Sequence, residues 1–238
     1  MDPTPSTVTP VEVRTGALAG PTGGHDGLPE RLAELLAVLV DAARGDGGDG
    51  GDGGDDRAGP SRVAQLSPGE CLAVVGTLER VKAAAAAVQA SATAAFVAAR
   101  DAEVAGARSA GEISARLARQ RRSAARAEVA LARRCSPGQA DRHVGLARAL
   151  AEELPSTREA LARGDISEWR ATLVVRETAC LSADDRRAVD ARLAPDLTDG
   201  TLGDQSVAAA ARRASAEIDA ASVVERHRRA VAGRCVSV

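Results

Sequence analysis

The sequence has no asparagine and no tyrosine, and only one tryptophan, one phenylalanine and one lysine in 238 residues. Each scarcity closes a door. With a single indole and a single phenyl ring there is no aromatic platform on which successive bases could stack. Cys71, Cys135, Cys180 and Cys235 are at least 45 residues apart, with no C-x-x-C and no histidine close to more than one of them. The spacing of a structural zinc site is therefore missing, and the four read as free thiols acting as small hydrophobes in a reducing compartment. Long apolar runs are absent too. The best, Ala83 to Ala99, is mostly alanine broken by Gln89, Ser91 and Thr93, which suits a buried helix better than a membrane span. Met1 to Gly27 carries Asp2, Glu12 and Asp26 among prolines, threonines and glycines, unlike the basic and then apolar start of a secretory signal. The expectation is a cytoplasmic protein with no membrane partner and no cofactor.

What is present is alanine, arginine and an uneven charge. Residues 1–60 hold 11 acids and 4 bases, residues 61–238 hold 22 acids and 27 bases, and 100–148 alone has 11 arginines against 5 acids. Residues 1–27 have almost no apolar periodicity and read as a disordered tail. Leu32, Leu35, Leu36 and Leu39 then mark an isolated helix over 28–44. The span 45–66 opens on a Gly/Asp repeat, whose ordering entropy and self-repulsion make it an acidic linker; it lacks the large apolar residue of calcium-binding nonapeptides.

From Ser67 onward the punctuation is helical. Ser67-Pro68-Gly69-Glu70 is a capping box with proline at the first helical position, and it opens a long Ala-rich helix to about Arg108. A break at Gly106–Gly111 precedes a helix over Glu112–Arg134, and Ser136-Pro137 starts the next, to about Leu154. Ser156 to Glu159 reads as a second capping box, for a short helix ended by Gly164. Ser167 caps a helix to about Leu181, Ser182 one to Leu193, and Asp204 one to Ile218. Ser222 to Glu225 reads as a third box, for a helix stopping at Gly233. No strand pair is visible, so the fold class is all-α: a multi-helix bundle over 67–238 with a disordered acidic N-terminal region. The apolar run Cys235–Val238 has no partner in the chain and reads as a truncated boundary.

Gly164-Asp-Ile-Ser-Glu-Trp-Arg-Ala-Thr-Leu-Val-Val-Arg-Glu-Thr-Ala-Cys-Leu-Ser182 closely resembles the signature of the domain of unknown function 222 family, the thirteen-E-twelve repeat proteins of high-GC bacteria. Glu128 to Arg134, Ser136-Pro137, Arg142 to Arg148 and Arg234 to Val238 match its flanks, so the likeness covers roughly 70–238. The resemblance implies a helical region that is commonly followed by an HNH nuclease module, and so a link to DNA cleavage or mobile elements. An HNH site needs a histidine base, a second histidine or asparagine on the metal and a central asparagine to orient the loop. Here asparagine is absent and His25, His143 and His227 are scattered, so the module is missing and neither a metal site nor a catalytic residue is expected.

Two groups of residues remain. A helix-turn-helix reading takes Ala124–Arg134, the turn Cys135-Ser136, and Pro137–Leu150, with Gln139, Arg142, His143 and Arg148 on the second helix. Arg119, Arg121, Arg122, Arg126, Arg133 and Arg134 would then supply phosphate contacts to duplex DNA. The second group is the signature itself, Glu168, Trp169, Arg170, Arg176 and Glu177, read as structural: Trp169 as a core anchor, Arg170 and Glu177 as a partly buried ion pair or a contact for a nuclease module. Catalysis by Glu168 or Glu177 lacks a positioned nucleophile or second carboxylate. The leading expectation is a non-catalytic accessory domain that binds DNA or docks a nuclease module. The alternative is a structural module, a homo-oligomer joined through the long Ala-rich helix.

Overall fold

The computed structural model describes residues 28–43, 62–199 and 201–232. The expected tail at 1–27, most of the acidic linker, Gly233 and the run at 235–238 lie outside them. Among the described residues there are nine α-helices and no strand, so the chain is all-α, as its periodicity and capping residues imply. It divides into two compact units, residues 1–71 and 72–238.

The first unit contains α1 (Leu28–Ala43), a 3-10 turn (Arg62–Gln65) and the first residues of α2. α1 exposes Leu28, Leu32, Leu35 and Leu36. The Ser67 box is formed: its backbone N–H and hydroxyl donate to Glu70 Oε2 at 2.8 and 2.7 Å, and the Glu70 N–H donates back to Ser67 Oγ at 3.4 Å.

The second unit is arranged along α2 (Pro68–Ser109). Ala83, Ala90, Val97 and Val104 recur every seven residues and are buried, with Ala87 completing the stripe. The alanine half of the stripe joins the main core with Leu146, Leu150 and Leu154 around α4 (Pro137–Glu152), Leu161 of α5 (Pro155–Arg163), Val174 of α6 (Glu168–Thr178), Val189, Leu193 and Leu197 of α7 (Ala183–Thr198), and Val207 and Ala211 of α8 (Asp204–Ile218). Val97 heads a second cluster with Val129 and Ala130 of α3 (Ala115–Arg133) and Ala140 and Val144 of α4. Val104, Ile113 and Ala118 form a third.

Several expected boundaries move, each for a visible reason. α2 runs through Gly106 to Ser109, and α3 starts at Ala115, because the Ser114 hydroxyl rather than Glu112 caps it. α7 continues past Leu193 through Pro195 to Thr198 and carries Leu197 into the core. α5 does not use the box from Ser156 to Glu159. It begins at Pro155 with no cap from its own side chains, and the fully buried Asp190 of α7 accepts from Ser156 N–H (2.6 Å), Thr157 N–H (2.9 Å) and Thr157 Oγ1 (2.6 Å). α9 (Ala220–Ala232) likewise starts ahead of its expected box; the Ser222 N–H donates to Asp219 Oδ1 at 3.0 Å. Gly164 ends α5 at φ +80°, where a β-carbon would lie 2.8 Å from Arg80 Cβ and 2.9 Å from Arg80 Cα. Only glycine fits that crossing of α2 and the α5–α6 turn.

Candidate functional site

α3 ends at Arg134, which takes the left-handed conformation at φ 51°. Its N–H donates to Leu131 O and the Cys135 N–H to Ala130 O, the paired bonds of a Schellman ending in which glycine is the usual residue. Arg134 is the one non-glycine residue with positive φ among those described. α4 then starts with a full capping box. Gln139 N–H donates to Ser136 Oγ (3.3 Å), and Ser136 N–H and Oγ donate to Gln139 Oε1 (3.1 and 3.2 Å). The oxygen that would read an adenine is thus held by the cap.

The two helices make a hairpin rather than a helix-turn-helix. Arg122 of α3 lies 3.4 Å from Asp101 Oδ1, and Arg148 of α4 lies 2.5 Å from Asp101 Oδ2. Each arginine sits about 20 Å along its helix from the turn, at 1.5 Å per residue. Arms opening at a helix-turn-helix angle would stand about 30 Å apart there, too far for two arginines to share one carboxylate. α3 and α4 therefore run back alongside each other, and no recognition helix projects.

The pairing extends to other expected phosphate contacts. Arg126 Nε is 3.7 Å from Asp141, and Arg133 Nη2 donates to Glu168 Oε1 at 3.1 Å. Arg119, Arg121, Arg134 and Arg142 are exposed with no carboxylate partner among the described residues. Arg116, which the sequence reading passed over, is a fifth, although its spacing from Arg119 by one turn was open to view.

The signature residues divide in the same way. Ser167 caps α6, its hydroxyl accepting from Arg170 N–H at 3.3 Å. That places Glu168 in the first turn, where Arg133 and His143 Nδ1 (3.3 Å) meet it. Burial, then the charges of Arg133 and Arg142, lower the His143 pKa against the pull of Glu168. Arg170 and Glu177 do not pair. Seven residues separate them by about 10 Å along the axis, and each has another partner. Arg170 Nε donates to Asp204 at the start of α8 (3.0 Å). Glu177, 8% exposed, accepts from Arg212 of α8 (3.2 Å) and Arg226 of α9 (3.4 Å). Glu168, Arg170 and Glu177 are thus clamps between helices.

Trp169 is not a core anchor; it is 51% exposed. The buried stripe of α6 follows Ala171, Val174 and Thr178, which turns position 169 outward. The indole lines an open trough of about 560 Å³ between α4 and α6. Gln139, Arg142, His143 and Leu146 form one wall, and Glu168, Trp169, Thr172 and Arg176 the other. Residues from the two expected groups thus meet in one place, which spacing along the chain could not reveal.

Cys71, Cys135 and Cys180 are free and partly buried. No group of three His, Cys, Asp or Glu side chains converges among the described residues, and none of their helices is long and apolar enough to cross a membrane. No family model, curated protein or solved structure matches the chain.

Proposed function

We propose that the chain is a non-catalytic helical accessory domain of the HNH-endonuclease-type proteins that residues 70–238 resemble, and that it holds duplex DNA through the α3–α4 hairpin. The supporting observation is the cation surplus left once internal ion pairs are set aside: Arg116, Arg119, Arg121, Arg134 and Arg142 on one hairpin, none of them in an ion pair among the described residues. Arg134 adds weight, since a bulky cation occupies a backbone conformation that glycine would take at lower cost. In this reading the contacts are to phosphates, so binding is electrostatic and tolerant of sequence.

The test is fluorescence anisotropy of a labelled duplex titrated with the full chain over a series of salt concentrations. Five phosphate contacts give a log–log slope of about −4.5, and Arg134→Ala or Arg142→Ala each flattens it by about one. Arg122→Ala and Arg133→Ala, which remove engaged arginines, leave the slope nearly unchanged. Absence of binding at low salt, or a slope insensitive to Arg134 and Arg142, sinks the proposal.

A second reading, self-association through the long helix, has one observation in its favour. Leu72 and Val75, near the start of α2, are 73% and 57% exposed. Light scattering across a range of protein concentrations separates it: a salt-insensitive dimer lost in Leu72→Ser supports this reading, and a monomer throughout removes it.

A further inference from the structure

The α4–α6 trough is formed by two facing stripes, each spaced as one side of a helix: Arg142, His143 and Leu146 against Trp169, Thr172 and Arg176. Two such walls leave a seat that a third helix fills with side chains at i, i+3, i+4 and i+7. The floor is apolar, with buried Leu146 and an indole half open to water. The charge of the seat is biased. Its one carboxylate, Glu168, is already met by Arg133 and His143, whereas Arg142 and Arg176 are exposed and in no ion pair among the described residues. An apolar floor holding the only tryptophan, beneath two uncommitted guanidinium groups, is complementary to an apolar ridge flanked by carboxylates.

We infer that the α4–α6 trough is a docking seat for an acidic amphipathic helix of a partner protein, with Trp169 as the anchor beneath its apolar ridge and Arg142 and Arg176 pairing its flanking carboxylates. The inference does not rest on the DNA reading, because four of the five hairpin arginines lie outside the trough. Arg142 belongs to both surfaces, so occupancy of the trough also lowers the affinity for duplex if both hold.

Trp169 is the sole tryptophan of the chain, so intrinsic emission reports on this groove alone. The probes are two synthetic helical peptides with leucine at i, i+3, i+4 and i+7, one carrying glutamate and the other lysine at the flanking positions. The glutamate peptide shifts the emission of the full-length chain to the blue and saturates; the lysine peptide does neither. The double variant Arg142→Glu/Arg176→Glu loses the glutamate peptide by about tenfold or more and gains the lysine peptide, a reversal that misfolding cannot produce. Should the double variant not fold, the selectivity of the unaltered chain decides alone. The proposal is overturned by no emission shift with the glutamate peptide, by equal response to both peptides, or by a duplex that produces the same shift and displaces the peptide. An emission change that follows protein concentration without peptide also overturns it, since the occupant is then a second copy of the chain.

Discussion

Replacing Asp190 by alanine removes the carboxylate that caps α5 and leaves three donors stranded. The carboxylate accepts from two backbone N–H groups and the Thr157 hydroxyl at 2.6–2.9 Å, and both Asp190 and Thr157 are fully buried. A bond to a charged acceptor is worth about 1.5–3 kcal/mol, and a buried donor left without a partner costs about 1–3 kcal/mol. The three share one carboxylate and are not additive, so the expected loss is about 3–5 kcal/mol, a large part of a stability of order 5–15 kcal/mol. In a domain of this length that lowers Tm by about 6–20 °C. The assay is urea unfolding followed by circular dichroism, with Ser156→Ala and Thr157→Val as companions. Ser156 gives Asp190 only its backbone N–H, so Ser156→Ala changes stability by less than about 0.5 kcal/mol. Thr157→Val removes one bond, and its double-mutant cycle with Asp190→Ala gives a coupling above about 1 kcal/mol. A loss below about 1 kcal/mol for Asp190→Ala, or a larger one for Ser156→Ala, refutes the cross-helix cap and restores the local box that the sequence suggests.

Other perturbations follow from the same geometry. Gly164→Ala combines a left-handed φ with a β-carbon 2.8 Å from Arg80 Cβ and 2.9 Å from its Cα, for a loss of about 2–4 kcal/mol; Arg80→Ala fails to rescue it, because Cα remains in the way. Trp169→Ala, from a half-exposed position, costs under about 1.5 kcal/mol in urea unfolding, where a fully buried tryptophan costs about 3–5. Arg134→Gly relieves the left-handed strain and raises stability by about 0.5–1 kcal/mol while weakening duplex binding, so the two readouts move in opposite directions. The lowered pKa of His143 means that the unfolded chain, near the usual 6.5, takes up its proton first as pH falls. Its contribution to stability is complete above 6.5 and declines as pH drops towards the folded value. His143→Gln makes the urea midpoint less pH-dependent than wild type in that window; parallel profiles count against the assignment.

Much of the fold was legible because helix starts are local chemistry. A hydroxyl followed three residues later by a glutamate or glutamine at Ser67, a Ser-Pro opening at Ser136, and the serine at 167 are read from four residues of sequence, and all three cap helices here. The failures are the starts at which a distant or preceding carboxylate arrives first. Ser156 and Ser222 look like caps, but Asp190 from 34 residues away and Asp219 from just ahead take the same amides. Likewise Pro195 looks like a stop for α7, yet the helix passes it to bring Leu197 into the core. Local signals list the options for a helix end, and tertiary packing chooses among them.

The site was less legible for a related reason. Sequence counts charges but does not show which of them meet, and an arginine already answered by a carboxylate has little left for a phosphate. Asp101 shows the difference. It falls four residues after Val97 and three before Val104, within the repeat that buries α2, and so looks like a polar interruption of a core stripe. Its carboxylate stays partly open to water and is met by Arg122 and Arg148 from two helices. One aspartate on the long helix thus takes two arginines off any DNA surface and also fixes α3 and α4 as a hairpin. Glu168 does the same to Arg133. The arginines left uncommitted at the hairpin and the trough are set by where these carboxylates stand, and the number of arginines in the sequence does not reveal them.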